Sequence, residues 1–297
     1  MAVLASRVRY EEKRIFAALE RRGVAYAHVD TRRLGEELGA GPAGNGGPGY
    51  AAALNREISH SRALYASLLF EARGVATVNT SDTITVCGDK LRTSLLLRRA
   101  GVPVPRTAVA LAPEAGADAA ERLGFPVVLK PLAGSWGRLV AAVHDRDQAE
   151  TVLEHRAALP TPQQHIVYLQ ELVDKPGRDI RVIVAGDEVV GATYRYSDGW
   201  RTNAARGARS APCPLTPELT GPARAAARAV GGGVLGVDLV EGPGGPLVLE
   251  VNHTVEFQGF QDAHGDAVDV ADAIVAHLLD AASRDGAAAG ARRGEAR

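Results

Sequence analysis

The segment Gly236-Val237-Asp238-Leu239-Val240-Glu241-Gly242-Pro243-Gly244-Gly245-Pro246-Leu247-Val248-Leu249-Glu250-Val251-Asn252 sets two alternating strands around a turn. Val237 and Leu239 flank Asp238, while Leu247, Leu249 and Val251 interleave with Glu250 and Asn252. Period-two alternation sends the apolar residues to one face and the polar ones to the other. The linker between the runs is built from glycine and proline, the residues that punctuate turns. With the hairpin centred near Gly244, Asp238 and Glu250 face each other and Asn252 lies on the same face. Directly opposed carboxylates repel and weaken a sheet. A divalent cation between them reverses that sign, and two carboxylates with an amide oxygen suit a hard ion such as Mg²⁺. A solvated polar face has the same spacing, so the pattern alone leaves both readings standing.

Upstream, residues from 176 onward open with another hairpin. Ile180, Val182 and Val184 alternate toward one face, and Gly186-Asp187 supplies the turn. A helix over 217–230 separates the two hairpins. The preceding block, 107–175, reads as strands near 104–111, 126–132, 139–143 and 165–173, with helices over 113–123 and 147–157. Lys130 ends the apolar run Val127-Val128-Leu129, where a lysine is costly unless it snorkels or meets an anion. The turn Gly134-Ser135-Trp136-Gly137 follows, and its glycines let backbone N–H groups approach phosphates.

The first block, 1–106, alternates strands (3–5, 25–29, 75–78) with helices (11–22, 61–73), which predicts an open α/β unit. A Gly/Pro-rich loop over 39–49 carries no core pattern. Lys90, after Gly88-Asp89, opens a further helix whose N-terminus favours anions. Two surface lysines and an ordinary turn also fit these features. No G-x-x-x-x-G-K-[ST] spacing occurs, which argues against a P-loop. The chain thus divides into an N-terminal α/β domain (1–106), a central lobe (107–175), a C-terminal lobe (176–281) and an Ala/Gly/Arg-rich tail (282–297) expected to be disordered.

Of 297 residues, 46% are apolar and 23% charged, with net charge -1, so no basic excess points to nucleic acid. Cys87 and Cys213 stand far apart and read as free thiols of a reducing compartment. Met1 to Arg9 hold no long apolar run, and no stretch reaches membrane-span length. These features predict a soluble cytoplasmic protein with no membrane partner.

Taken in order, Cys87-Gly88-Asp89-Lys90, Lys130-Pro131, Gly134-Ser135-Trp136-Gly137-Arg138, Gln170-Glu171-Leu172-Val173, Lys175-Pro176-Gly177-Arg178-Asp179-Ile180-Arg181 and Glu250-Val251-Asn252-His253-Thr254-Val255-Glu256-Phe257 resemble the ATP-grasp superfamily. Within it they look like the RimK-like branch, and most like the LysX/ArgX ligases that act on an amino-group carrier protein. The resemblance covers residues 3–279.

It implies an α/β ATP-grasp fold, with the nucleotide held between two lobes behind an N-terminal α/β domain. Lys90, Lys130 and the turn Gly134, Ser135, Trp136 and Gly137 would meet ATP phosphates. Gln170, Glu171, Leu172 and Val173 would bind adenine, with Asp179 in the nucleotide cleft. Asp238, Glu250 and Asn252 would hold two Mg²⁺ ions. Arg195, Asn203 and Arg206 would act at the reacting carboxylate, and His253, Thr254 and Phe260 on the substrate side, with residues 254–260 lining the amine donor's pocket. Ala204-Ala205 stands where relatives carry Thr-Ala. The implied partners are a small acidic amino-group carrier protein ending in glutamate, and glutamate or α-aminoadipate as donor. Gln258-Gly259-Phe260 resembles the glutamate-selecting relatives. A homo-oligomer, as in the family's tetramers, is implied too. The resemblance also admits a RimK-type ligase acting on another protein, a small-molecule peptide ligase, or an ATP-binding regulator. The regulator would be expected to lack a metal ligand or a phosphate lysine, and this chain keeps them. Arg56, Arg62 and Arg138 are the candidate contacts for an acidic carrier tail.

Overall fold

A computed structural model of the chain describes residues 1–37, 49–134, 138–197, 199–200 and 209–295, with side chains as far as 284. Three sheets organise it. The first is parallel and comprises β1 (Ala2–Leu4), β2 (Ala27–Val29), β3 (Ala52–Asn55) and β4 (Ala76–Val78), in the order β2-β1-β3-β4. The second, antiparallel, comprises β5 (Thr107–Ala110), β6 (Val127–Lys130), β7 (Ala141–Val143) and β8 (Val167–Glu171), in the order β5-β8-β6-β7. The third, also antiparallel, comprises β9 (Arg178–Ala185), β10 (Glu188–Tyr196), β11 (Arg209–Cys213), β12 (Val234–Gly242) and β13 (Gly245–Asn252), in the order β11-β10-β9-β12-β13. The helices are α1 (Tyr10–Arg21), α2 (His60–Ala72), α3 (Ser81–Cys87), α4 (Lys90–Arg99), α5 (Gly116–Leu123), α6 (Arg146–Ala157), α7 (Pro162–His165), α8 (Pro217–Ala229), α9 (Gln258–His264) and α10 (Val270–Glu295). Among the described residues no helix is long and apolar enough to cross a membrane.

The two hairpins of the third sheet are not separate. β12 pairs antiparallel with β9, joining them into one surface. β9 is consequently buried on both faces. Ile180, Val182 and Val184 pack beneath α8 with Leu219, Ala223 and Ala227. Ile183 and Ala185 enter a different core, with Val3, Ile15 and Leu54 of the N-terminal domain and Val255, Phe257 and Ile274. Each fully buried side chain of this size stabilises by about 1.5–3 kcal/mol relative to exposure. This shared core therefore ties the N-terminal domain to the third sheet.

Several elements depart from the sequence reading. β3 sits between β1 and β4, yet Ala52-Ala53-Leu54-Asn55 carries almost no strand propensity. Complete burial between neighbours supplies what propensity does not. β11 contains Pro212 and pairs only with β10, the edge placement a proline requires. The tail expected to be disordered instead continues α10 as helix to Glu295. Alanine, abundant there, is the best intrinsic helix former, and this outweighs the scattered glycines.

Candidate active site

The β12–β13 register is shifted by one residue. Asp238 pairs with Glu250 but Leu239 pairs with Val248, so Leu249 is the extra residue of a bulge. Below it the strands close around Pro243-Gly244, between the paired Gly242 and Gly245. Without the bulge Asp238 would oppose Leu249. The bulge both brings the two carboxylates opposite each other and lets Leu249 and Glu250 line the same cleft. Gly236 faces Asn252, and a Cβ there would come within 3.3 Å of the Arg181 side chain.

Charges alternate across the third sheet. Arg195 on β10 pairs with Asp179 on β9, and Arg181 on β9 with Asp238 on β12, next to Glu250 on β13. Arg195 grips Asp179 with two bonds, Nε–Oδ1 at 2.6 Å and Nη2–Oδ2 at 2.9 Å, and reaches Asp238 Oδ1 at 3.2 Å. Arg181 grips Asp238 through Nε and through Nη2 at 2.8 Å. Burial alone would raise the Asp238 carboxyl, but Arg181 and Arg195 outweigh it and hold it at about 2. Arg195 is buried, which opposes its charge, yet Asp238 and Asp179 raise its pKa above the ordinary arginine value.

A cleft of about 390 Å³ opens over this face, between the second and third sheets and the start of α4. Lys90 enters from α4, donates to Gly134 O at 3.1 Å and lies 3.8 Å from Glu250. Lys130 enters from the end of β6 and donates to Gln170 Oε1. Burial lowers Lys130 to about 8, with Glu250 pulling the other way. Lys175, Arg138 and His60 also line the cleft, as do the apolar Val128, Val140, Leu172, Val173, Val240 and Leu249. His253 meets His60 at 3.4 Å, and its pKa falls to about 4 through burial and then through His60 and Arg56. It is therefore neutral at pH 7.

The structure thus brings Lys90, Lys130, Gly134, Glu171, Leu172, Val173, Asp179, Arg195, Asp238, Glu250, Asn252, His253 and Thr254 to one cleft. Gln170 is buried behind it on Lys130. Ser135, Trp136, Gly137, Asn203 and Arg206 lie outside the described residues. At the end of β8, Glu171 N–H donates to Arg106 O, Leu172 N–H donates to Pro126 O, and the Glu171 carboxylate accepts from Arg106 N–H. Glu171 therefore braces the central lobe as well as lining the cleft.

Two expectations fail. Phe260 does not line the cleft. It is buried under β10, where a Cβ on Gly191 would come within 2.7 Å of its ring, and it stacks on His264 at 4.5 Å. Arg56 is not a surface dock. It is 2% exposed, bonded to Glu12 at 3.1 Å and to Val255 O at 2.9 Å, so its charge is engaged by α1 and by the segment after Asn252. Arg62 remains on the surface and Arg138 at the cleft. Arg181 was not singled out, although it follows Asp179 by two residues on a strand and so shares its face.

The oxygen set of Asp238, Glu250 and Asn252 fits a hard divalent cation. Among the described residues no three His, Cys, Asp or Glu side chains are grouped closely enough to hold a metal ion by themselves. The carboxylates are compensated by Arg181, Arg195 and Lys90.

Residues 87–278 match the model of the RimK-like ATP-grasp domain, and residues 1–86 that of the LysX preATP-grasp domain. The glutamate–LysW ligase ArgX of Sulfolobus acidocaldarius is 36% identical over 285 residues, covering 94% of this chain and 97% of the relative. The α-aminoadipate–LysW ligase LysX of the same organism is 37% identical over 258 residues, covering 84% and 91%. The crystal structure of a RimK domain ATP-grasp protein from Sphaerobacter thermophilus superposes with a TM-score of 0.77 at 30% identity, covering 94% of this chain and 98% of that one.

Proposed function

Because the chain belongs to the RimK-like ATP-grasp family, with a LysX preATP-grasp domain ahead of it, we propose that it joins the α-amino group of glutamate or α-aminoadipate to the C-terminal glutamate γ-carboxylate of a small acidic amino-group carrier protein. ATP is the phosphoryl donor. The observation that carries this reading is the meeting, in one cleft, of two lysines from different elements with the Asp238–Glu250–Asn252 face.

A carboxylate is a poor electrophile, since its charge repels nucleophiles and its leaving group is oxide. Phosphorylation removes both defects, and the amine then displaces phosphate to leave an amide. Alignment and charge neutralisation are what the protein must supply. Lys90 and Lys130 serve the phosphates, and the apolar lining around Val128, Val240 and Leu249 suits the faces of a purine. Arg195, pre-oriented by Asp179 and Asp238, serves the acyl-phosphate side together with Asn203 and Arg206. Asp238, Glu250 and Asn252 would hold two Mg²⁺ ions, which supply further neutralisation of phosphate charge. Arg62 and Arg138 guide the acidic tail.

The test is intact-mass analysis of such a carrier after incubation with ATP, Mg²⁺ and each amino acid. A mass gain of one glutamyl or aminoadipyl residue supports the reading and identifies the donor. ADP release with small carboxylates but no carrier modification would refute it.

A further inference from the structure

The segment following Asn252 is held, residue by residue, by the N-terminal domain. His253 O accepts from Asn79 Nδ2 at 2.6 Å, and Thr254 Oγ1 donates to Glu57 O at 3.3 Å. Val255 O accepts from Arg56 at 2.9 Å, and the Glu256 carboxylate from Arg9 at 2.8 Å. The N–H groups of Phe257 and Gln258 both donate to one oxygen, Oε1 of Glu11, at 3.1 and 3.2 Å. Val255 and Phe257 are themselves fully buried in the shared core, while His253, Thr254 and Glu256 face the cleft between them.

Glu11 is 5% exposed, in the first turn of α1, and Glu12 beside it is fully buried on Arg9 and Arg56. Burying a carboxylate is costly unless its oxygens are bonded. In the structure, Glu11 meets that cost on the backbone where the 253–257 segment turns into α9. The metal-face hairpin itself is fixed by its own sheet. Among the described residues the segment after it has no strand partner, and these hydrogen bonds to it come from the N-terminal domain.

We propose that Glu11 is a positioning residue for the amine donor, acting through the Phe257 and Gln258 backbone to set the cleft-facing side chains of residues 253–256. This rests on reading the cleft as that of an amide-forming ligase whose donor sits against this segment. It makes the N-terminal domain part of donor selection, although none of these Glu11 contacts touches the nucleotide lysines or the metal face.

Steady-state kinetics on the full chain, with carrier, ATP and amino acid varied in turn, separates this from a purely structural role. Losing two bonds to a charged acceptor in Glu11→Ala should raise the donor KM by about tenfold or more, with the KM for ATP within about twofold. Discrimination between glutamate and α-aminoadipate should shrink. Glu11→Gln keeps an oxygen that can accept both N–H groups, and should restore the donor KM toward the wild-type value. An equal rise in both KM values, or a donor KM unmoved in Glu11→Ala, would overturn the positioning role while leaving the ligase reading intact. A wild-type protein that modifies no carrier with any donor would instead overturn the ligase reading, and this inference with it.

Discussion

If Lys130 meets the nucleotide phosphates as proposed, nucleotide binding should be proton-linked. Burial takes its ammonium from the ordinary lysine value of 10.5 down to about 8. At about 1.4 kcal/mol per pH unit, keeping it charged costs the nucleotide-free fold about 3 kcal/mol. The unfolded chain holds this proton more tightly than the folded one. The penalty is therefore fully present below pH 8 and is relieved as pH rises from about 8 to 10.5, so this group makes the nucleotide-free protein more stable across that window. A polyphosphate reverses the preference, because the charged form then has an anion to meet. Binding above pH 8 must take up a proton, and affinity should fall by about tenfold between pH 7 and pH 9. Calorimetric titration with a non-hydrolysable ATP analogue at pH 8.5, in buffers of different ionisation enthalpy, reads the uptake directly. Lys130→Arg, whose guanidinium stays charged, should flatten the pH dependence. Buffer-independent heats in the wild type, or a slope that persists in Lys130→Arg, would refute the assignment.

Glu250→Ala should abolish ligation with little change in Tm, since Glu250 is partly exposed and its ion pair to Lys90 is 3.8 Å long; near-normal turnover would remove Glu250 from the proposed metal site. Arg56→Met should destabilise by about 3–5 kcal/mol in urea unfolding, because buried Glu12 then keeps Arg9 alone, whereas Arg62→Ala should stay within about 1 kcal/mol. Moderate salt should raise the carrier KM more than the ATP KM, and reversing the charge at Arg62 and Arg138 together should mimic it; a carrier KM indifferent to both would favour a small-molecule carboxylate. Gly191→Ala sets a Cβ 2.7 Å from the Phe260 ring and should lower stability by about 1–3 kcal/mol, with Phe260→Leu recovering part of the loss in a thermal melt.

Much of the site was legible because its chemistry is written in short-range patterns. Alternation in 237–252 singled out Asp238, Glu250 and Asn252, although the Leu249 bulge is what sets the first two opposite each other, and the apolar run before Lys130 marked a lysine needing an anion. Local periodicity and turn residues also recover most strands and helices, since those signals act within a few residues. Long-range pairing leaves no such trace. Nothing in Ala52-Ala53-Leu54-Asn55 announces a strand between two others, and nothing near Asp238 announces Arg181 on a neighbouring strand fifty-seven residues earlier. The cross-strand neighbour depends on which hairpin edge meets which, decided by burying β9 on both faces. Arg56 and Phe260 were misplaced for the same reason. A charged side chain is inside or outside, and an aromatic one in a pocket or a core, according to which distant elements close over it. Sequence determined the chemical inventory and the local frame of this ligase. Tertiary packing decided that the N-terminal carboxylates would hold the segment beside the Asp238–Glu250 face.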